Sequence, residues 1–142
     1  MIRYVLFLFG LFVVSCSSDN NVEQVFDINK FPQEWVLVTS EITNSMPKSD
    51  TLNEQESIVL LSSGRFTKTK ETESGYISSE GDFEFVQSDD QITIQLNHDA
   101  QNELIINCSD SLIELFALVS DSSLSGGAVP CDGPSVFYQR IK

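Results

Sequence analysis

Basic side chains are scarce in this chain: eight Lys and Arg stand against 21 Asp and Glu in 142 residues, for a net charge of −13. A surface of that sign repels nucleic acid and anionic lipid headgroups, so no nucleic-acid partner is expected. Solubility alone accounts for the charge. Histidine occurs once, at His98, and cysteine three times. A structural zinc site needs about four ligands, more than one histidine and a pair of cysteines supply. The carboxylates Glu80/Asp82 and Asp89/Asp90 lack the Asp-x-Asp-x-Asp-Gly spacing of a calcium loop and read as a solvated acidic face. Gly126-Gly127 is followed by neither lysine nor helix, so it reads as a flexible loop rather than a phosphate cradle. His98 stands beside Asp99 in an expected turn. A serine nucleophile needs a base within reach and a third group that orients the base, and a solvated turn supplies neither, so no catalytic residue, metal or cofactor is expected.

What the chain does have is a distinctive start. Arg3 is the only charge before Asp19 and precedes an apolar run from Tyr4 to Val14 relieved only by Gly10. That order is the one found in secretory signal peptides. The run is shorter than the roughly 20 residues that a membrane-spanning helix needs. It ends in Val13-Val14-Ser15-Cys16, which resembles the lipobox of bacterial lipoproteins. The resemblance implies that Cys16 receives a diacylglyceryl group, that residues 1–15 are cut away and that the new amine is acylated. Several acyl chains hold a protein durably where one does not. The implied location is the cell envelope, with the protein lipid-anchored to the outer membrane on its periplasmic or surface side. Ser17-Ser18-Asp19-Asn20-Asn21 then reads as a flexible spacer. It also resembles the serine- and acid-rich tethers that take some lipoproteins to the cell surface. The expected organisation is signal peptide 1–15, lipidated cysteine and tether 16–30, and one domain over 31–142.

Within the domain, Val22, Val25, Phe26, Ile28 and Phe31 fall at loosely helical spacing before Pro32, as for a short capping turn. From residue 34 the period becomes two. Strands are expected over 34–40, 57–61, 65–70, 76–87, 91–97, 103–108, 112–119 and 135–141, with a long polar loop over 43–56 and another from Ser120 to Pro134. Gly64 is placed in the first hairpin turn, and Gly81, inside a strand pattern, at a bulge or sharp bend. Most connections are too short for anything but antiparallel neighbours. Eight such strands lose their exposed edges by closing on themselves, so the expected fold is an all-β, eight-stranded antiparallel up-and-down β-barrel, with a two-sheet β-sandwich as the alternative.

The domain resembles the lipocalin-like domains of bacterial lipoproteins at Trp35-Val36-Leu37, Ser63-Gly64-Arg65-Phe66, Gly81-Asp82-Phe83 and Phe137-Tyr138-Gln139-Arg140-Ile141. The longer eukaryotic lipocalins carry Gly-x-Trp, and Gln33-Glu34-Trp35 lacks that glycine. A small barrel is either filled by side chains or holds one small ligand. The candidate interior or ligand-lining residues are Trp35, Leu37, Phe66, Phe83, Phe85, Phe116 and Tyr138, with filling favoured for Trp35 and Phe83. With Cys16 lipidated, Cys108 and Cys131 form an even pair that is either bridged or left as two free thiols. Because 103–108 is taken as a strand, the two fall at opposite poles, and a bridge would need the Ser120–Cys131 loop to fold back along the wall. The function expected is a non-catalytic lipoprotein whose partners are the membrane, through its anchor, and a small hydrophobic ligand. The alternative is a filled barrel serving as a protein-interaction or inhibitor module.

Overall fold

The structure, a computed structural model, describes residues 26–42 and 55–142. Cys16, the spacer, Val22, Val25 and most of the polar loop lie outside the described residues. Eight strands follow one another: β1 (Gln33–Ile42), β2 (Glu56–Leu60), β3 (Arg65–Thr72), β4 (Gly75–Ser88), β5 (Gln91–His98), β6 (Ile113–Ser120), β7 (Ser123–Gly127) and β8 (Pro134–Arg140). Each pairs antiparallel with the next. β8 returns to β1, from Trp35↔Arg140 to Ile42↔Pro134, and closes the barrel. Closure removes both edges and with them the sandwich alternative. The fold is the expected lipocalin-like up-and-down barrel.

Alternation decides which side chains enter. On β5, Ile94, Leu96 and His98 point inward and are buried, while Thr93, Gln95 and Asn97 are only half-buried. The same rule brings Trp35, Ile58, Leu60, Phe66, Phe116, Leu124, Val136 and Tyr138 into a single core with Ile94 and Leu96. Each such side chain contributes about 1.5–3 kcal/mol on burial. At the first hairpin Gly64 takes φ +82° and donates its N–H to the Leu61 carbonyl at 3.0 Å, a conformation that favours glycine.

Four expectations are corrected. Residues 103–108 are not a strand, because their backbone groups go to side chains: Asn102 Oδ1 accepts the Leu104 N–H and Glu114 Oε1 accepts the Ile106 N–H, both at 2.8 Å. The eighth strand is instead β7, inside the expected loop Ser120–Pro134 and so masked by its Ser-Leu-Ser-Gly-Gly composition. Its inward pair is Leu124 and Gly126. A Cβ at Gly126 would come within 2.5 Å of the Phe116 ring, so that glycine is the space in which Phe116 sits. Gly81 marks no bulge. It pairs in register with Phe66 on one side and His98 on the other, and a side chain there would collide with the Asn97 backbone and the Phe66 ring. Finally, residues 26–32 form turns rather than a helix, with the Lys30 N–H donating to Asp27 O at 3.1 Å. They still cap one pole, where the Phe31 ring lies 5.8 Å from that of Phe83.

The exchange of one strand for another also settles the cysteines. Cys108 now lies in the β5–β6 connection and Cys131 in the β7–β8 connection, and alternate connections of a meander share a pole. The two are bridged, with Cα atoms 5.6 Å apart, so the bridge ties two loops at one mouth of the barrel rather than a loop to the wall.

Candidate functional site

Below that mouth the interior is ionic. Inward alternation on β3 delivers Lys68 next to Phe66, and on β6 it delivers Glu114 next to Phe116. β2, β4, β5 and β8 add Glu56, Ser79, His98 and Tyr138. Lys68 Nζ, wholly buried, donates to the Leu104 carbonyl at 2.7 Å and to Glu114 Oε1 at 2.9 Å, and lies 3.3 Å from Glu56 Oε1. The Tyr138 hydroxyl donates to Glu56. His98 Nε2 lies 2.8 Å from Glu114 Oε2, and His98 Nδ1 lies 2.7 Å from Ser79 Oγ. The Lys68 ammonium sits 5.7 Å from the centre of the Phe116 ring.

Burial, the largest influence on the Glu114 carboxyl, works to raise its pKa. The His98 hydrogen bond, the Lys68 charge and the Ile106 N–H outweigh it and hold the group below its ordinary value. Burial, and next the charge of Glu56, push the Tyr138 hydroxyl far above its usual range, so it stays protonated as a donor. Among the described residues no buried side-chain nitrogen or oxygen lacks a partner.

Ser79, His98 and Glu114 form a serine–imidazole–carboxylate chain that was not legible in the sequence, where His98 reads as a wet turn residue. It sits instead at the inward end of β5, 4% exposed. The chain has the donors of a hydrolase but not the access. Ser79 is 6% exposed, and Glu114 is already engaged by Lys68 and the Ile106 N–H. The Ser79 hydroxyl and the His98 ring share their hydrogen bond in the buried interior of the barrel.

The opposite pole is closed by a second set. Trp35 Nε1 donates to Gln33 Oε1 at 3.2 Å, and Gln33 Nε2 donates to the Ile28 carbonyl. Arg140 donates to the carbonyls of Lys30 at 3.0 Å and Lys142 at 2.8 Å, and its guanidinium lies 4.9 Å from the Phe26 ring centre and 5.7 Å from that of Trp35. Outside this pole a groove of about 650 Å³ runs between Phe26 and the outer faces of β1 and β8.

No family model, curated protein or solved structure matches this chain. Trp35, Phe66, Phe116 and Tyr138 are in the barrel interior at 1% exposure or less, and Leu37 and Phe83 are partly buried against them. Phe85 is not interior. It is 37% exposed, because the β3–β4 ladder ends at Arg65↔Asp82 and β4 runs on beyond it with β5 as its partner. Glu80 and Asp82 are exposed as expected, but Asp82 is paired with Arg65 at 3.2 Å, and Arg65 also holds Asp99 at 2.5 Å. That pairing pulls the Asp99 carboxyl below its ordinary value. Among the described residues no group of three or more His, Cys, Asp or Glu is arranged to hold a metal ion.

Proposed function

We propose that this chain is a lipid-anchored protein of the cell envelope whose barrel is a filled, non-catalytic module for binding another protein. The observation that carries the second half is the occupied interior. The residues that would line a ligand cavity contact one another instead: the Phe116 and Tyr138 rings meet edge to face at 5.5 Å, and Phe66 meets His98 at 4.9 Å. One mouth is stopped by Leu104 over the Lys68–Glu114 pair, and the other by Phe31 and the Arg140–Trp35 stack. The anchor half rests on the lipobox resemblance at Cys16, which places a tether ten residues before the first described residue, Phe26.

A fluorescent fatty-acid probe titrated into the purified protein tests the filled interior. No saturable signal is expected, and one-to-one saturation would restore the carrier reading and overturn the module. The tether is tested separately. Cys16→Ser is expected to lose the lipid-dependent mass and to move from the membrane to the soluble fraction, and a variant that floated with membranes as before would remove the anchor from the proposal.

A further inference from the structure

The wall of the barrel is uneven at the pole that Phe31 closes. The β3–β4 ladder ends at Arg65↔Asp82, and beyond it the Phe83 N–H donates to the Gly64 carbonyl at 2.9 Å. β4 then continues from Glu84 to Ser88 with β5 on one side, and the turn Asp89-Asp90, with Asp89 at φ +50°, ends the arm. Along an antiparallel strand, successive residues turn their N–H and C=O to opposite sides. Phe85 and Gln87 therefore turn theirs to the side that Phe83 uses for Gly64, where no strand lies beside them among the described residues. Residues 84–88 are all exposed.

A row of unpaired N–H and C=O groups is a template for another strand, and proteins blunt such edges with lysine, proline or a bulge. Phe83-Glu84-Phe85-Val86-Gln87-Ser88 has none of the three, and its register with β5 is unbroken. A two-stranded ribbon is marginal in water, whereas three strands with an apolar face hold together. A third strand here would also cover Phe85, which is 37% exposed for want of β3 beside it. Charge selects the occupant. From Glu71 to Gln139 the chain has no lysine or arginine, and the arm carries Glu84, Asp89 and Asp90, so a second copy would bring like charge to this edge and a basic segment would bring the opposite sign. We infer that the free edge of β4 is a docking site for an extended, basic segment of another protein, added as a strand beside Phe85 and Gln87. Its backbone takes the free N–H and C=O groups, while alternate side chains place an apolar group beside Phe85 and a lysine or arginine beside Glu84. The inference rests on the interaction-module reading and names the surface and the chemistry of the partner.

The probe is a labelled, capped peptide of alternating lysine and valine, about six residues long as strands commonly are, titrated with the full chain. Gln87→Pro removes an edge donor without taking an N–H from the β5 ladder, since proline is tolerated where the N–H faces away from the sheet. Saturable anisotropy is expected with the unaltered chain. Binding should be about tenfold or more weaker with Gln87→Pro, and likewise when glutamate replaces lysine in the peptide. No saturation overturns the site, and so does equal binding by the two chains, which would mean that charge alone holds the peptide. Should the variant fail to fold, amide exchange on the unaltered chain decides. The peptide is expected to slow the Phe85 and Gln87 amides and to leave those of Glu84 and Val86, which face β5, as they were. Slowing of all four alike, or of none, overturns the site. Slowing of the same two with rising protein concentration and no peptide would give the edge to a second copy and overturn the basic partner. The fatty-acid titration reports on the filled interior independently, so failure of one is separable from failure of the other.

Discussion

Replacing Lys68 by Met removes the ammonium that lies 2.9 Å from Glu114 and 3.3 Å from Glu56 and leaves two carboxylates inside the barrel. The Glu114 and Lys68 side chains have no measurable exposure and Glu56 has 6%, so water cannot take over. Breaking such a pair from one side costs about 3–5 kcal/mol, because the charge left behind is buried without compensation. A domain of this size has about 5–15 kcal/mol in total, so the variant should fold but unfold at a urea concentration lower by about 2 M. Its pH dependence is the sharper test. In the unaltered protein the Glu114 carboxyl is held below its ordinary value, so its contribution is present above the unfolded carboxylate range of about 4.3 and is lost as pH falls through the folded value. Without Lys68, burial is opposed only by the His98 hydrogen bond and the Ile106 N–H, and the same carboxyl rises from that depressed value. The variant should then regain relative stability as Glu114 takes up a proton, and the two stability curves should converge on acidification. Urea titrations from neutral to acid pH, followed by the fluorescence of Trp35, the sole and fully buried tryptophan, measure both curves. A loss under about 1 kcal/mol at neutral pH, or a loss that does not change with pH, would refute the assignment of Lys68 as the compensating charge.

Tyr138→Phe keeps the ring against Phe116 but strips Glu56 of its hydroxyl donor, and urea titration should show a loss of about 1–3 kcal/mol. Gly126→Ala puts a methyl group into the Phe116 ring and against the Leu115 carbonyl, and the expected cost of about 1–3 kcal/mol should be relieved in part by Phe116→Leu in the same chain, read as non-additive midpoints. Cys108→Ser with Cys131→Ser opens a loop with a sequence separation of 23, and the thermal midpoint should fall by the equivalent of about 3 kcal/mol while the far-UV spectrum holds.

The fold was legible wherever alternation was backed by turn chemistry. Residues 91–97 read as a strand because Ile92, Ile94 and Leu96 alternate with Thr93 and Gln95, and Gly64 marks the hairpin that joins β2 to β3. Two segments deceived for opposite reasons. Residues 103–108 carry an alternating apolar pattern, yet Asn102 takes the Leu104 N–H, Glu114 the Ile106 N–H and Lys68 the Leu104 carbonyl, and no sheet partner is needed. β7 carries almost no apolar side chain, yet it is required between β6 and β8, and its glycine is explained only by the Phe116 ring two strand spacings from Val136. Composition reports what a strand contributes, and here β7 contributes space. The ionic cluster was illegible for a further reason: Lys68, Glu114 and Glu56 each sit two residues from a buried apolar side chain, Phe66, Phe116 and Ile58, but a charged residue in such a pattern is assigned to solvent by one-dimensional reading. A single signal was available. Phe66-x-Lys68 and Glu114-x-Phe116 place opposite charges on the face shared with buried aromatics, and the period that buries Phe66 must also bury Lys68.

That cluster also answers a question which the apolar core leaves open. Slipping one strand past its neighbour by a single residue turns every side chain inside out and is excluded by burial. Slipping by two preserves the alternation, and leucine, isoleucine and phenylalanine discriminate weakly against it, since volume-conserving exchanges in a core cost little. Ion pairs do discriminate. A two-residue slip displaces a side chain by nearly 7 Å along its strand, which would carry Lys68 out of reach of both Glu114 and Glu56 and leave at least one charge buried alone. β2, β3, β6 and β8 are thereby tied to one register by Glu56, Lys68, Glu114 and Tyr138, and β5 joins them through His98. The residues that fix how the barrel closes are thus the ones that hold residues 104–106 over its mouth.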